Sequence, residues 1–122
     1  MAVTNSHAVS DAKNDAVETV IGPSPQLRLY NGTPPANARA ALSGNTLLAQ
    51  GALPSDWMAA SANGVKAKAG TWTLTGQSGA GAGTAATFYR IYDSTGTTCH
   101  EQGTVTATGG GGDMTLNNNS IA

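Results

Sequence analysis

The first regular pattern of apolar positions in the chain has the period of a helix and lies within residues 5–21. Asn5 or Ser6 is placed to cap the first turn, and Gly22 followed by a proline ends the helix. The stripe is narrow and poor in large side chains, so the helix needs a partner surface. We expect the protein's own sheet to supply it, with a neighbouring subunit as the alternative. The apolar members of the stripe recur at spacings of three, four or one: Val9, Ala12, Ala16, Val17, Val20 and Ile21.

After Pro25 the apolar period changes to two, which is typical of strands with one buried face. The alternation predicts that Leu27 and Leu29 point inward, whereas Lys66 and Lys68 point outward. The apolar and alternating segments predicted as strands are 26–30, 46–52, 65–69, 71–75, 87–92, 100–107 and 114–116. About seven short strands with turn residues between them indicate an antiparallel arrangement.

The segment 87–92 is apolar or aromatic on both faces, which predicts a central strand that is covered on each side. Trp57 lies in an irregular crossover and is expected to be buried, as are Trp72 and Leu74. The predicted fold class is therefore mainly β: an antiparallel β-sandwich or barrel of about seven short strands, preceded by an N-terminal helix. We divide the chain into an N-terminal arm and helix, 1–22, and a β-sandwich domain, 23–122.

Charge and length narrow the class of protein. The chain has 122 residues, which suits one core, and its six basic and seven acidic residues give a net charge of -1. No basic stripe is available to neutralise phosphates, so we expect no nucleic-acid partner. Only 11% of the residues are charged, which suits a protein docked against neighbours better than a free monomer. We expect no membrane partner, and the start of the chain lacks a signal peptide, which predicts synthesis in a bacterial cytoplasm.

Cys99, His100 and Glu101 bring a thiol, an imidazole and a carboxylate into three successive positions. Strand alternation allows Cys99 and Glu101 to share a face but places His100 on the other. A zinc site needs further ligands, and His7 is the only other histidine. We therefore expect no catalytic residue, no metal site and no cofactor here, and interpret Cys99 as a small buried thiol beside an exposed histidine.

The remaining candidate residues have structural interpretations. Asp56, Asp93 and Asp113 lie at turns, where carboxylates commonly accept bonds from backbone N–H groups. The glycine string in 79–83 precedes no helix and lacks a Gly-Lys-Ser/Thr signature, so it indicates loop flexibility or close docking rather than phosphate binding. We expect Trp57, Trp72 and Phe88 in the core and surface tyrosines, Tyr30 among them, as interface anchors. The alternative is a carbohydrate-stacking platform built from Trp57, Trp72, Phe88, Tyr89 and Tyr92.

Four segments carry a resemblance to a known family: Gly32 to Asn37, Leu53 to Met58, Gly70 to Trp72, and Phe88 to Ile121. Together they resemble small proteins encoded among the structural genes of tailed bacteriophages and prophages. The resemblance implies a virion component, a capsid decoration or cement protein on the capsid exterior whose partners are the major capsid protein and copies of itself. It implies no enzymatic activity. Relatives tend to continue past 120–122 with a further strand, so either the sequence is a portion or the chain leaves an edge for a neighbour to cover.

Two alternatives to capsid decoration stay open. One keeps the virion and places the protein in the neck, the tail or a fibre base. The other is a glycan- or receptor-binding β module that uses exposed aromatic side chains. For the decorating role, we predict that contacts to neighbours are made by residues 1–22, by the 31–45 loop and by the glycine loops.

Overall fold

The computed structural model describes residues 2–78 and 84–121, so the glycine string in 79–83 lies outside the described residues. Within them the chain forms one helix, α1 (His7–Ile21), and eight short strands. The strands are β1 (Gln26–Tyr30), β2 (Leu47–Ala52), β3 (Thr75–Gly76), β4 (Thr84–Ala85), β5 (Phe88–Tyr92), β6 (Cys99–Ala107), β7 (Met114–Leu116) and β8 (Ser120–Ile121). Six of them form a curled mixed sheet in the order β3-β2-β1-β5-β6-β7, and β4 pairs with β8.

The predicted mainly-β class with an N-terminal helix is confirmed, and both ends of the helix are set by local chemistry. The side chain of Ser6 accepts a hydrogen bond from the backbone N–H of Val9. Gly22, at φ 86°, adopts a left-handed conformation that glycine tolerates best, and its N–H donates to the Glu18 carbonyl. Closure of the sheet into a sandwich or barrel stays a prediction.

One pairing in the sheet differs from the antiparallel arrangement expected from the sequence, because β7 runs parallel to β6. The connection between them is short, and glycines allow the chain to fold back tightly over Thr106. A Cβ atom at Gly110 or Gly112 would lie 2.7 or 2.9 Å from the Thr106 side chain. The Gly112 N–H also donates to Thr106 Oγ1 over 3.0 Å. These glycines explain how a parallel pair forms without a long crossover.

The central position predicted for the segment 87–92 is confirmed, because every residue of β5 is buried between β1 and β6. Alternate residues of the central strands define two faces. The helix-side face carries Leu27, Leu29, Tyr89 and Ile91 and packs against α1 and the 53–74 segment. The loop-side face carries Arg28, Tyr30, Phe88, Arg90 and Tyr92 and is covered by the 31–45 loop.

The main core lies on the helix-side face, where the predicted inward positions of Leu27 and Leu29 are confirmed, each being 2% exposed. Trp57 is 3% exposed, as predicted for the crossover, and its ring centroid lies 5.9 Å from that of the half-buried Trp72. Gly51 on β2 allows the chain just before β3 to pack closely against it, because a Cβ atom at Gly51 would overlap the Thr73 carbonyl oxygen.

The predicted strand at 65–69 is wrong. Only isolated bridges form here, Ala62 with Val65 and Met58 with Lys68. The orientation predicted for Lys66 is also wrong, because its side chain is only 9% exposed whereas Val65 is 67% exposed. The reason is electrostatic: the Lys66 ammonium is drawn inward by carboxylates on α1.

Candidate interaction surface on helix α1

Helix α1 meets the rest of the protein through its polar side. Asp11 Oδ1 accepts hydrogen bonds of 2.8 Å from both the Gly64 N–H and the Ser61 hydroxyl. Asn14 Nδ2 donates to the Gly64 carbonyl and to Ser61 Oγ, each over 3.2 Å. The Ser61 N–H donates to Asp15 Oδ1 over 2.9 Å. These contacts join one face of the helix to the turn at residues 61–64, about fifty residues further along the chain.

An ion pair at Lys66 completes this attachment. The Lys66 ammonium lies 2.6 Å from Asp15 Oδ1 and 2.7 Å from Glu18 Oε2, and it donates to the Ala59 carbonyl over 2.9 Å. Burial alone would lower the pKa of Lys66, but its hydrogen bonds to Asp15 and Glu18 outweigh burial and raise the pKa. Lys66 therefore stays charged and holds the helix in place.

Much of the apolar side of α1 remains exposed to solvent. Val9, Val17 and Val20 are 44%, 47% and 69% exposed, while Ile21 is 5% exposed at the helix end. Ile21 is buried in the core, and Val17 lines a cavity beneath the helix together with Trp57 and Ile91. The expected packing of the stripe against the protein's own sheet is therefore wrong for Val9 and Val20, which remain exposed. We call the exposed set the outer stripe of α1: Val9, Ala12, Ala16, Val17 and Val20.

The outer stripe continues into a groove of about 300 Å³ between α1 and the start of β6. Val17 and Val20 line one wall of the groove and His100 lines the other. An apolar stripe that borders a groove is a surface that another chain can cover with gain of hydrophobic free energy.

The attachment of α1 depends on the ionisation of Asp15. The Lys66 ammonium and the Ser61 N–H both bond this carboxylate and hold its pKa below the ordinary value of 3.8. A carboxylate with a lowered folded-state pKa stabilises the fold above its unfolded-state pKa, and the stabilisation is lost as the pH falls through the folded value. We therefore expect the contribution of Asp15 to the attachment of α1 to be lost as the pH falls below 3.8.

The chemical shift of the Ser61 amide measures this dependence, since its N–H bonds Asp15 directly. In an NMR titration we expect that shift to follow a transition whose midpoint lies below 3.8, and Asp15→Asn to abolish it. A midpoint at or above 3.8 would contradict the assignment of the contact.

The Cys99–His100–Glu101 cluster predicted from the sequence is split by a bulge in β6. Ile91 pairs with Glu101 but Tyr92 pairs with Cys99, so His100 is an extra residue. The expectation that Cys99 and Glu101 share a face is therefore wrong. Glu101 accepts a hydrogen bond of 2.8 Å from the Tyr89 hydroxyl on the helix-side face, whereas Cys99 borders a cavity on the loop-side face. His100 is exposed beside the outer stripe.

Two of the three turn carboxylates bond the backbone as predicted. Asp93 accepts from the Thr95 hydroxyl and the Thr97 N–H, and these two bonds lower its pKa. Asp113 accepts from the N–H and the hydroxyl of Thr104, which lowers its pKa as well. In the described part of the chain, no three His, Cys, Asp or Glu side chains are grouped so that they could hold a metal ion.

The aromatic side chains lie mostly inside the protein. Phe88 is fully buried and stacks on Tyr30 with 5.3 Å between ring centroids. The prediction of surface tyrosines is wrong, because Tyr30, Tyr89 and Tyr92 are only 4% to 7% exposed. Burial raises the pKa of Tyr30 to about 12, so it stays protonated. The alternative of an aromatic platform for sugars requires exposed rings. Four of its five proposed members are buried, and the fifth, Trp72, is half-buried.

Comparison with known proteins identifies no relative: no family model, no curated protein and no solved structure matches the chain. Among the described residues there is no helix with the length and hydrophobicity to cross a bilayer.

Proposed function

We propose that the chain is a structural subunit of a bacteriophage virion, a capsid decoration or cement protein that bridges major capsid proteins on the outside of the shell. The observation that supports this proposal is the outer stripe of α1. The polar side of the helix makes its contacts within the chain, whereas Val9, Val17 and Val20 remain partly exposed. A helix so oriented is suited to contact a second chain.

The free energy available from the outer stripe is useful in a repetitive assembly. Full burial of a valine side chain contributes about 1.5 kcal/mol or more, so covering these half-exposed valines contributes about 1 kcal/mol each. A contribution of this size is small for one contact but is repeated at every copy in a shell. The low share of charged residues, 11%, leaves little repulsion between close neighbours.

The proposed partners are the major capsid protein, against the outer stripe, and further copies of this chain. Closure of the curled sheet into the sandwich or barrel predicted from the sequence is part of this proposal. If the sheet forms a sandwich rather than a closed barrel, its edge strands β3 and β7 are where a neighbouring chain would add strands. The alternative within the virion is a site in the neck, the tail or a fibre base, where the same stripe would contact a different partner.

The experiment that tests the proposal is quantitative mass spectrometry of purified virions, with copies of this chain counted per major capsid protein. We expect a ratio near one or a simple fraction of one, as a shell-wide lattice requires. A handful of copies per particle would contradict decoration and favour the neck or tail. Absence from the particle would contradict the virion proposal altogether.

A further inference from the structure

The arginines of the chain converge on the loop-side face of the sheet. The sequence contains three: Arg28, Arg39 and Arg90. Arg28 on β1 and Arg90 on β5 are directly paired across the two strands, and Arg39 lies in the 31–45 loop that covers them. Like charges at directly opposed positions of a sheet are unfavourable unless something neutralises them.

Arg90 is buried without a carboxylate. It is 3% exposed, its Nε donates to Gln102 Oε1 over 2.9 Å, and its Nη2 donates to the carbonyls of Ala40 and Asn37 over 2.7 and 3.2 Å. Within the described residues, both ion pairs involve Lys66, so no carboxylate forms an ion pair with Arg90. Buried charges in proteins are normally paired, so this arrangement leaves a positive charge to be matched.

Arg28 adds a second positive charge to the same region. Its guanidinium lies 4.4 Å from the centroid of the Tyr92 ring. Its Nε is buried and has no hydrogen-bond partner in the part of the chain that the structure describes. Tyr92, whose ring contacts the Arg28 guanidinium, also lines a cavity together with Arg90.

This cavity has a volume of about 480 Å³, within the range typical of small-molecule sites. Its walls combine the positive charges of Arg39 and Arg90 with the apolar side chains of Ala41 and Leu42. Cys99 also lines the cavity, and burial raises the pKa of its thiol despite the nearby arginines, so a neutral thiol rather than a thiolate borders the space. Among the residues that the structure describes, no Asp or Glu lines the cavity.

We propose that this cavity binds a small organic anion whose carboxylate or phosphate group lies between Arg39 and Arg90. Guanidinium groups bind both head groups through charge-assisted hydrogen bonds. The apolar part of the ligand packs against Ala41 and Leu42. The inference stands apart from the virion role, because it depends on the loop-side face and not on α1.

The test is an NMR titration of the isotope-labelled protein with hexanoate, hexyl phosphate and acetate, at constant ionic strength. We expect saturable shifts of the amides at 38–42 and 97–99 with hexanoate or hexyl phosphate, and the tighter of these two identifies the head group. We expect acetate to bind at least about tenfold more weakly than hexanoate, since it lacks the buried methylene groups. No saturable shift at these amides with either six-carbon probe would overturn the proposal.

A matched pair of variants separates a specific site from general attraction between charges. Arg39 is exposed, and its side chain makes no hydrogen bond within the described residues, so Arg39→Gln leaves the fold intact. We expect it to weaken binding of the tighter probe about tenfold through loss of a charge-assisted bond. Lys13→Gln removes the same charge from α1 and is expected to change binding less than about twofold. Equal weakening by both variants, or none by Arg39→Gln, would overturn the site.

Discussion

Replacing Trp57 with alanine is expected to lower the free energy of unfolding by about 3–5 kcal/mol, the usual cost of removing a buried tryptophan. Trp57 is 3% exposed and packs against Trp72 between the helix and the sheet. Its Nε1 also donates to the Gly22 carbonyl over 3.1 Å at the end of α1. Its loss would enlarge the cavity of about 230 Å³ that already lies beneath the helix.

Urea denaturation measures this loss, and Trp57→Phe is its control. Phenylalanine keeps most of the packing and loses the Nε1 bond, so we expect a cost of only about 1–2 kcal/mol. Circular dichroism at zero denaturant would show whether each variant is folded before its midpoint is compared at constant m-value. Equal losses of unfolding free energy in Trp57→Ala and Trp57→Phe would show that the Trp57 ring does not fill the space between the helix and the sheet.

Replacing Arg90 with methionine is expected to lower the free energy of unfolding by about 2 kcal/mol, because it removes three hydrogen bonds that each contribute about 0.5–1 kcal/mol net. The three acceptors are Gln102 Oε1 and the carbonyls of Asn37 and Ala40. Two of them belong to the 31–45 loop, so the variant should also release this loop from the sheet. Methionine fills a similar volume, which limits the contribution of packing.

Trypsin digestion measures release of the 31–45 loop in the same Arg90→Met variant, because Arg39 is a cleavage site inside this loop. We expect cleavage after Arg39 to be faster in Arg90→Met than in the wild type, whereas Lys13→Met should change neither stability nor cleavage at this site. Unchanged cleavage in Arg90→Met, together with an unfolding free energy within about 0.5 kcal/mol of the wild type, would contradict the role of Arg90 as the tether of the loop.

Local patterns predicted several elements well. The capping serine and the terminal glycine define α1, and the alternation of Leu27 and Leu29 defines the buried face of β1. The apolar character of both faces of β5 marks the centre of the sheet. Each of these signals depends on neighbours in sequence, and no distant residue overrides them.

The orientation of α1 could not be predicted from its apolar stripe, because the partner of its polar side lies about fifty residues away. The sequence did contain one indication of a second contact face, because polar residues also recur at helical spacing: Asp11, Asn14, Asp15 and Glu18. Their partners at Ser61 and Gly64 carry no recognisable motif. The inward position of Lys66 follows from the same contacts, so one unpredicted interface accounts for both errors.

The divided cluster at residues 99–101 has a different origin. Strand alternation assumes one residue per position, and the extra residue His100 in β6 shifts Cys99 to the other face. The charged cavity was not predicted either, because Arg28 and Arg90 become neighbours only when β1 and β5 pair.

The most direct test of the central claim, that the outer stripe of α1 contacts the virion, compares Val20→Glu with Val65→Glu. The two valines are 69% and 67% exposed, so a carboxylate at either position remains solvated in the free protein. Quantitative mass spectrometry of virions assembled with each variant gives the number of copies incorporated. We expect Val65→Glu to match the wild type and Val20→Glu to fall at least about tenfold, because burying an unpaired carboxylate at a contact is costly. Incorporation of Val20→Glu at the wild-type level would contradict the claim.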